Sequence, residues 1–227
     1  MRRFFFSLFI VASTLVFNPL VADEGNSVPV ENYLEGRLSK DDKRYATLLF
    51  ALRLMKERRP ANIVETGTSR FGNSNFVGDG GFTILMGDYV RDNDGIFYSV
   101  DTDIHALSKA ASALGDSRHF VRLVNEDSVS FLQHFREPID FLYLDSYDFD
   151  VNDPIPSQQH HLKEIMAAYP NLTKHSVVMV DDCGLPYGGK GKYVINYLVN
   201  RGWKILANGY QVILAPDESK SVIFPPE

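Results

Sequence analysis

From Ser39 onward the chain alternates two kinds of pattern. Short, nearly unbroken apolar runs lie at 62–65, 96–100, 120–124, 139–144 and 176–180, and stretches with apolar residues three and four apart fall around 82–91, 104–114, 128–135 and 157–168. The runs read as strands and the stretches as helices. Their alternation predicts a parallel sheet with helices on both faces. Phe141-Leu142-Tyr143-Leu144 and Val177-Val178-Met179-Val180 have no polar face, as expected of central strands covered on both sides. A helix precedes the first strand. Ser39 with Asp42 three residues on reads as a capped start, Tyr45, Leu48, Leu49, Leu52 and Met55 follow at helical spacing, and Pro60 ends it.

The C-terminal part departs from βαβ alternation. Strand-like runs at 203–207 and 210–215 are separated by Asn208-Gly209, a strong hairpin signal, so the last strand is expected to run antiparallel. The fold class is therefore α/β: a Rossmann-like, doubly wound sheet of seven strands, mostly parallel, ending in an antiparallel hairpin strand.

The N-terminus carries a different pattern. Arg2-Arg3 precede an apolar run over 4–17, which breaks at Asn18-Pro19 and is followed by Ala22. This reads as a signal peptide over 1–22, with a short membrane anchor as the alternative. An export signal implies a periplasmic or secreted protein, against membrane-anchored or cytoplasmic alternatives, with membrane contact only through this segment if it stays uncleaved. Residues 23–38, with Gly25, Pro29 and Gly36, have linker composition, and 39–227 form the domain.

Composition narrows the partners. The 227 residues suit one domain, and a formal net charge of −6 without a basic face argues against nucleic acid. A lone Cys183 forms no intramolecular disulfide and reads as a small buried residue or a reactive thiol beside acids. Asn171-Leu172-Thr173 matches a glycosylation acceptor, a motif common by chance.

The candidate chemistry sits at strand ends, where open α/β sheets bind ligands. The first strand runs into Glu65-Thr66-Gly67-Thr68, the second ends at Asp101, and the third runs into Asn125-Glu126-Asp127-Ser128. Any one of these acids is more often a helix cap than a ligand. Three in register, together with the hairpin, resemble the class I S-adenosylmethionine-dependent methyltransferases over roughly 40–215. The resemblance implies that Glu65, Thr66, Gly67 and Thr68 border the methionine part of the cofactor, Asp101 accepts the ribose hydroxyls, Asp127 and Ser128 border adenine, and Asp145 borders the same pocket. Between Arg70 and Phe82 lies a loop longer than most of that family carry, either a lid or a surface excursion.

Asp145 ends the fourth strand and Asp181-Asp182 the fifth. If these strands are neighbours, three carboxylates converge and call for a neutralising cation, for which a hard divalent ion is economical. The pattern is similar to the catechol O-methyltransferase-like group, implying that Asp145, Asp181 and Asp182 hold Mg²⁺ and that Asp145 and Asp182 carry the catalysis. The lysine base of that group is replaced by Asp148, so no base transfers. His160 or His161 could face the site, while a solvated or capping role is the simpler reading. Gly184 to Lys190 fits G-x-x-x-x-G-K, but Gly191 removes the hydroxyl a phosphate loop needs; Lys190 or Lys192 instead could meet an anionic substrate. The expected function is transfer of a methyl group from S-adenosylmethionine to an oxygen of a small molecule with metal assistance. The alternatives are a non-catalytic exported binding module and another metal-assisted activity such as a hydroxylase.

Overall fold

A computed structural model describes residues 28–217; the expected signal segment lies outside them. Seven strands form one sheet: β1 (Asn62–Thr66), β2 (Ile96–Asp101), β3 (Val121–Asn125), β4 (Ile139–Leu144), β5 (Leu172–Val180), β6 (Trp203–Asn208) and β7 (Val212–Pro216). Their order is β3-β2-β1-β4-β5-β7-β6; β1 to β5 pair in parallel, and β7 runs antiparallel to both β5 and β6. The α/β, Rossmann-like class expected from the pattern is the observed one.

Alternation along β4 divides the core. Phe141 and Tyr143 pack on one face with β1 residue Ile63 and with α1 (Tyr45–Arg58) and, beyond the short α2 (Phe76–Asp79), α3 (Phe82–Asp92); the Phe82 and Tyr143 rings stack at 4.0 Å. Leu142 and Leu144 face the other side with α5 (Ser128–His134), α6 (Ile155–Ala168) and α7 (Lys192–Val199). Between α3 and α5, α4 (Ile104–Ala113) starts at Asp103, whose carboxylate caps the His105 amide. Burial of both faces explains the unbroken apolar runs.

Three expectations change. The helix expected from Ser39 begins at Tyr45, because Asp42 accepts from the Arg44 amide in a local turn and forms no capping box. Residues 28–38 are packed rather than a free linker: Val30, Tyr33, Leu34 and Leu38 are buried against α1 and α3, at spacings of three and four that the Gly and Pro punctuation obscured. The hairpin turn has three residues, since Asn208 pairs with Val212 and Gly209 donates to the Gln211 carbonyl. Tyr210 and Gln211 are thereby turned toward the acid-bearing ends of β4 and β5.

Candidate functional site

The strand order reverses between β1 and β4, which makes their carboxyl ends the expected ligand crevice. Gly67 closes that point. Its φ is +86°, and an added Cβ would lie 2.6 Å from the Asp145 carbonyl oxygen, so only glycine lets the two strand ends come this close. Beside it opens a cavity of about 340 Å³, of small-molecule size. Gly67, Asp101, Asp127 and Ser128 line it, together with Glu126, Ser146, Tyr147 and His160. The Asp101 carboxylate accepts from the amides of Thr68 (3.0 Å) and Asp103 (2.8 Å), which aim it. Burial raises its pKa, and those two amide bonds oppose the rise. Each oxygen retains a lone pair for a further donor. Asp127 is also the N-cap of α5, accepting from the Ser130 amide at 2.9 Å, so capping and lining coincide in one residue.

Glu65, Thr66 and Thr68 do not line this cavity. The Glu65 carboxylate is buried and accepts from the hydroxyls of Thr83 (2.8 Å) and Ser99 (2.6 Å), and Ser99 also bonds Thr68. Full burial raises the Glu65 pKa well above the ordinary range. The resemblance implies that backbone groups of this stretch border the cofactor; the Glu65 and Thr68 side chains are buried and joined through Ser99. Thr66 Oγ1 and Ser69 Oγ in the same stretch are buried with no hydrogen-bond partner among the described residues.

Asp145, Asp181 and Asp182 do converge, with oxygens from all three within 4.8 Å of one another. Their counter-charges come from the chain. Lys190 Nζ lies 2.5 Å from Asp145 and 3.3 Å from Asp182. Arg44 donates to both oxygens of Asp181, at 3.1 Å from Nε and 2.9 Å from NH2, and to Asp182 at 3.3 Å. Burial raises Asp145; Lys190 opposes it, and Asp181 and Asp182 add to it. Asp182 is lowered, because Lys190, the Tyr210 hydroxyl and Arg44 outweigh its burial. Lys190 is held well above the ordinary lysine range by the three acids despite burial. As arranged, these carboxylates do not fit a divalent ion well, because two buried cationic side chains already lie against them and supply the neutralising charge.

The framework of this cluster was not legible as a motif. Gln211 accepts from Thr47 at 2.6 Å and donates to the Tyr143 hydroxyl at 2.9 Å, and Lys43 lies 3.7 Å from the centre of the Tyr210 ring. The long loop after Arg70 is anchored by buried Phe76 and by the Val77 carbonyl, which accepts from Arg44. Arg70 pairs with Asp148 at 2.8 Å, so the residue standing at the catechol-type lysine position serves a surface ion pair.

His160 faces the cavity, its Nε2 3.2 Å from Ser128 Oγ and 3.4 Å from Glu164. The hydrogen bond with Glu164 raises its pKa despite burial. His161 points inward, and burial lowers it to about 4. Burial likewise pushes the Cys183 thiol up to about 12, as expected of a packed small residue rather than a reactive thiol. The Asn171 amide donates to the Phe135 carbonyl inside the fold.

Residues 76–183, just under half of the chain, match a family model described as a methyltransferase domain. A search of curated proteins found no match. Among solved structures, the chain is 13% identical to NSun6 from Pyrococcus horikoshii, solved with SFG, with a TM-score of 0.54; the match covers 72% of this chain and 50% of that one, so the chain spans half its length. It is 12% identical to a protein from Clostridium thermocellum titled a putative rRNA-methylase, with a TM-score of 0.51 over 78% of this chain and 97% of that one. It is 14% identical to an O-methyltransferase from Bacillus cereus in complex with SAH, with a TM-score of 0.51 over 82% and 90%. At these identities the likeness is one of fold. Part of the chain thus matches a methyltransferase domain, and its fold is shared with these neighbours; their titles name both an rRNA-methylase and an O-methyltransferase, so the exclusion of nucleic acid rests on charge alone.

Proposed function

We propose that this protein transfers a methyl group from S-adenosylmethionine to an oxygen of a small molecule with an apolar body. The observation that carries the reading is the cavity at the β1/β4 reversal, where Gly67 brings the backbone close and the Asp101 carboxylate, aimed by two amides, lines the wall. Asp101 would accept the ribose hydroxyls, while Ser128 and the neighbouring Glu126 and Asp127 would border the adenine. When bound, the cofactor supplies an electrophilic methyl group on a sulfonium.

The residues of the chain then have to orient the acceptor and take its proton. Asp145 and Asp182 are the acids of the cluster with exposed area, 22% and 17%, so a hydroxyl entering there meets them first, and a carboxylate can accept its hydrogen bond and proton. Exposed Tyr147, Val151 and Tyr187 on the loops beyond β4 and β5, with Ile155 at the start of α6, support an apolar acceptor body. The net charge of −6 supports a small molecule over a polyanion.

Calorimetric titration of the purified protein with S-adenosylmethionine tests this, followed by mass analysis of a panel of phenols and alcohols incubated with the loaded protein. Saturable binding and a mass gain of one methylene on an acceptor are expected. No binding would sink the cofactor assignment; methylation of RNA but of no phenol or alcohol would sink the acceptor class. We also propose export, on the basis of Arg2-Arg3 and the apolar run over 4–17. Cell fractionation that finds the full-length chain in the cytosol would refute it.

A further inference from the structure

We infer that the Asp145, Asp181 and Asp182 cluster is a metal-free charge centre in which Lys190 and Arg44 stand in the place of a divalent cation, and that Lys190 is the positioning residue that holds Asp145 and Asp182 toward the acceptor. The arrangement of charge stands without the methyltransferase reading; the word acceptor rests on that reading.

The Lys190 ammonium lies 2.5 Å from one acid and 3.3 Å from another, and its side chain is only 2% exposed. It bridges the two carboxylates that carry exposed surface, as a shared ion would. Asp181, the innermost acid, has both oxygens engaged by the Arg44 guanidinium, whose side chain is 4% exposed. A planar fork on a carboxylate is a directional contact, not a diffuse surface pairing. A divalent ion entering here would have to displace a buried ammonium from Asp145 and Asp182 and would sit beside a second cation, Arg44.

The backbone is shaped to deliver that ammonium. Gly189 has φ +51°, and an added Cβ would fall 1.7 Å from the Asp182 carbonyl oxygen, so the chain before Lys190 lies directly on the chain after β5. The buried Gln158 amide donates to the Tyr187 carbonyl at 3.2 Å and the Gly189 carbonyl at 3.0 Å, fixing the loop against α6. The Gly-Lys pair that resembled a phosphate loop is thus a device for returning a lysine to three aspartates. Asp182 itself holds φ 52° on a non-glycine residue, a conformation that persists where its surroundings fix it.

Mn²⁺ titration of the full-length protein, followed by electron paramagnetic resonance and calorimetry, provides the test. The wild type should show no saturable site tighter than about 1 mM, the weak end for protein sites that hold such ions through oxygen ligands. Lys190→Ala should gain one, at least 10-fold tighter than any wild-type binding, and adding Asp145→Asn should abolish the gain. A purely structural lysine predicts no such gain, so a folded Lys190→Ala without it overturns the inference. A saturable wild-type site lost on Asp145→Asn overturns it as well. If Lys190→Ala does not fold, Lys190→Gln is titrated instead, and if neither folds the wild-type titration decides. Failure of the methyltransferase reading would appear separately, as absent S-adenosylmethionine binding with the Mn²⁺ result unchanged.

Discussion

Two acids at neighbouring strand ends have opposite fates. Asp101 lines the cavity with a carboxylate oriented by the Thr68 and Asp103 amides, whereas Glu65 is buried and bonded by Thr83 and Ser99. Asp101→Ala is expected to weaken S-adenosylmethionine binding by roughly 10- to 100-fold, the loss of hydrogen bonds to one charged group, and to lower the thermal midpoint because the Thr68 and Asp103 amides lose their acceptor. Calorimetric titration reads the first and a melting curve the second; unchanged affinity would remove Asp101 from the site. For Glu65 the expected effect is on stability. Burial raises its folded pKa above 4.5, so the folded state favours the proton and the ionising unfolded chain gains as pH rises past that value. Glu65→Gln keeps an acceptor for both hydroxyls and has no proton to lose. Its urea midpoint should match the wild type near about pH 4 and exceed it increasingly as pH rises. Parallel midpoints over that rise would mean that Glu65 is no more protonated when folded than when unfolded.

Elements with a local cause were legible, and those set by distant partners were not. β4 is marked by an apolar run at 139–144 and occupies Ile139–Leu144, because both of its faces are covered. α1 begins at Tyr45 instead of Ser39, and Arg44 just before it reaches Asp181, 137 residues away. Sequence spacing can show that three aspartates end adjacent strands; it does not show which cation from elsewhere meets them. A partial signal was present in Gly188-Gly189 before Lys190, two glycines that both take positive φ so that the loop folds onto Asp182. Gly189→Ala tests the role of this loop. The overlap with the Asp182 carbonyl and a backbone region nearly closed to other residues predict a loss of about 3 kcal/mol or more, read by urea denaturation. Gly115→Ala is the control: its φ is +49°, but nothing lies within 4 Å of the added Cβ, so about 1 kcal/mol is expected from backbone conformation alone. Equal losses would show that the loop at 184–190 yields freely and does not hold Lys190 in place.

At the scale of the whole molecule the domain boundary is the feature that sequence composition misplaced. Residues 23–38 carry the glycine and proline of a linker, yet Val30, Tyr33, Leu34 and Leu38 are 6%, 4%, 0% and 6% exposed and belong to the cluster that covers one face of the sheet. The polar contacts of this segment are secondary. Arg37 pairs with Asp88, and the Tyr33 hydroxyl donates to Asp92 at 3.2 Å, but both contacts are partly solvated and of a kind worth little alone. The four apolar side chains are worth more, on the order of 5 kcal/mol or more by buried area. That is comparable to the whole stability of an ordinary domain, about 5 to 15 kcal/mol. A chain beginning at Ser39 should therefore melt well below one beginning at Val28, or fail to fold, while Tyr33→Ala in the longer chain should lose about 3 kcal/mol by denaturant titration. The loss should appear in stability first, because the segment packs on α1 and α3 and away from the cavity walls formed by the ends of β1 to β4. A folded Tyr33→Ala protein should thus keep the S-adenosylmethionine affinity of the parent. Equal midpoints for the two chain lengths would return 28–38 to a linker, and a Tyr33→Ala protein of normal stability but weakened cofactor binding would tie the segment to the site.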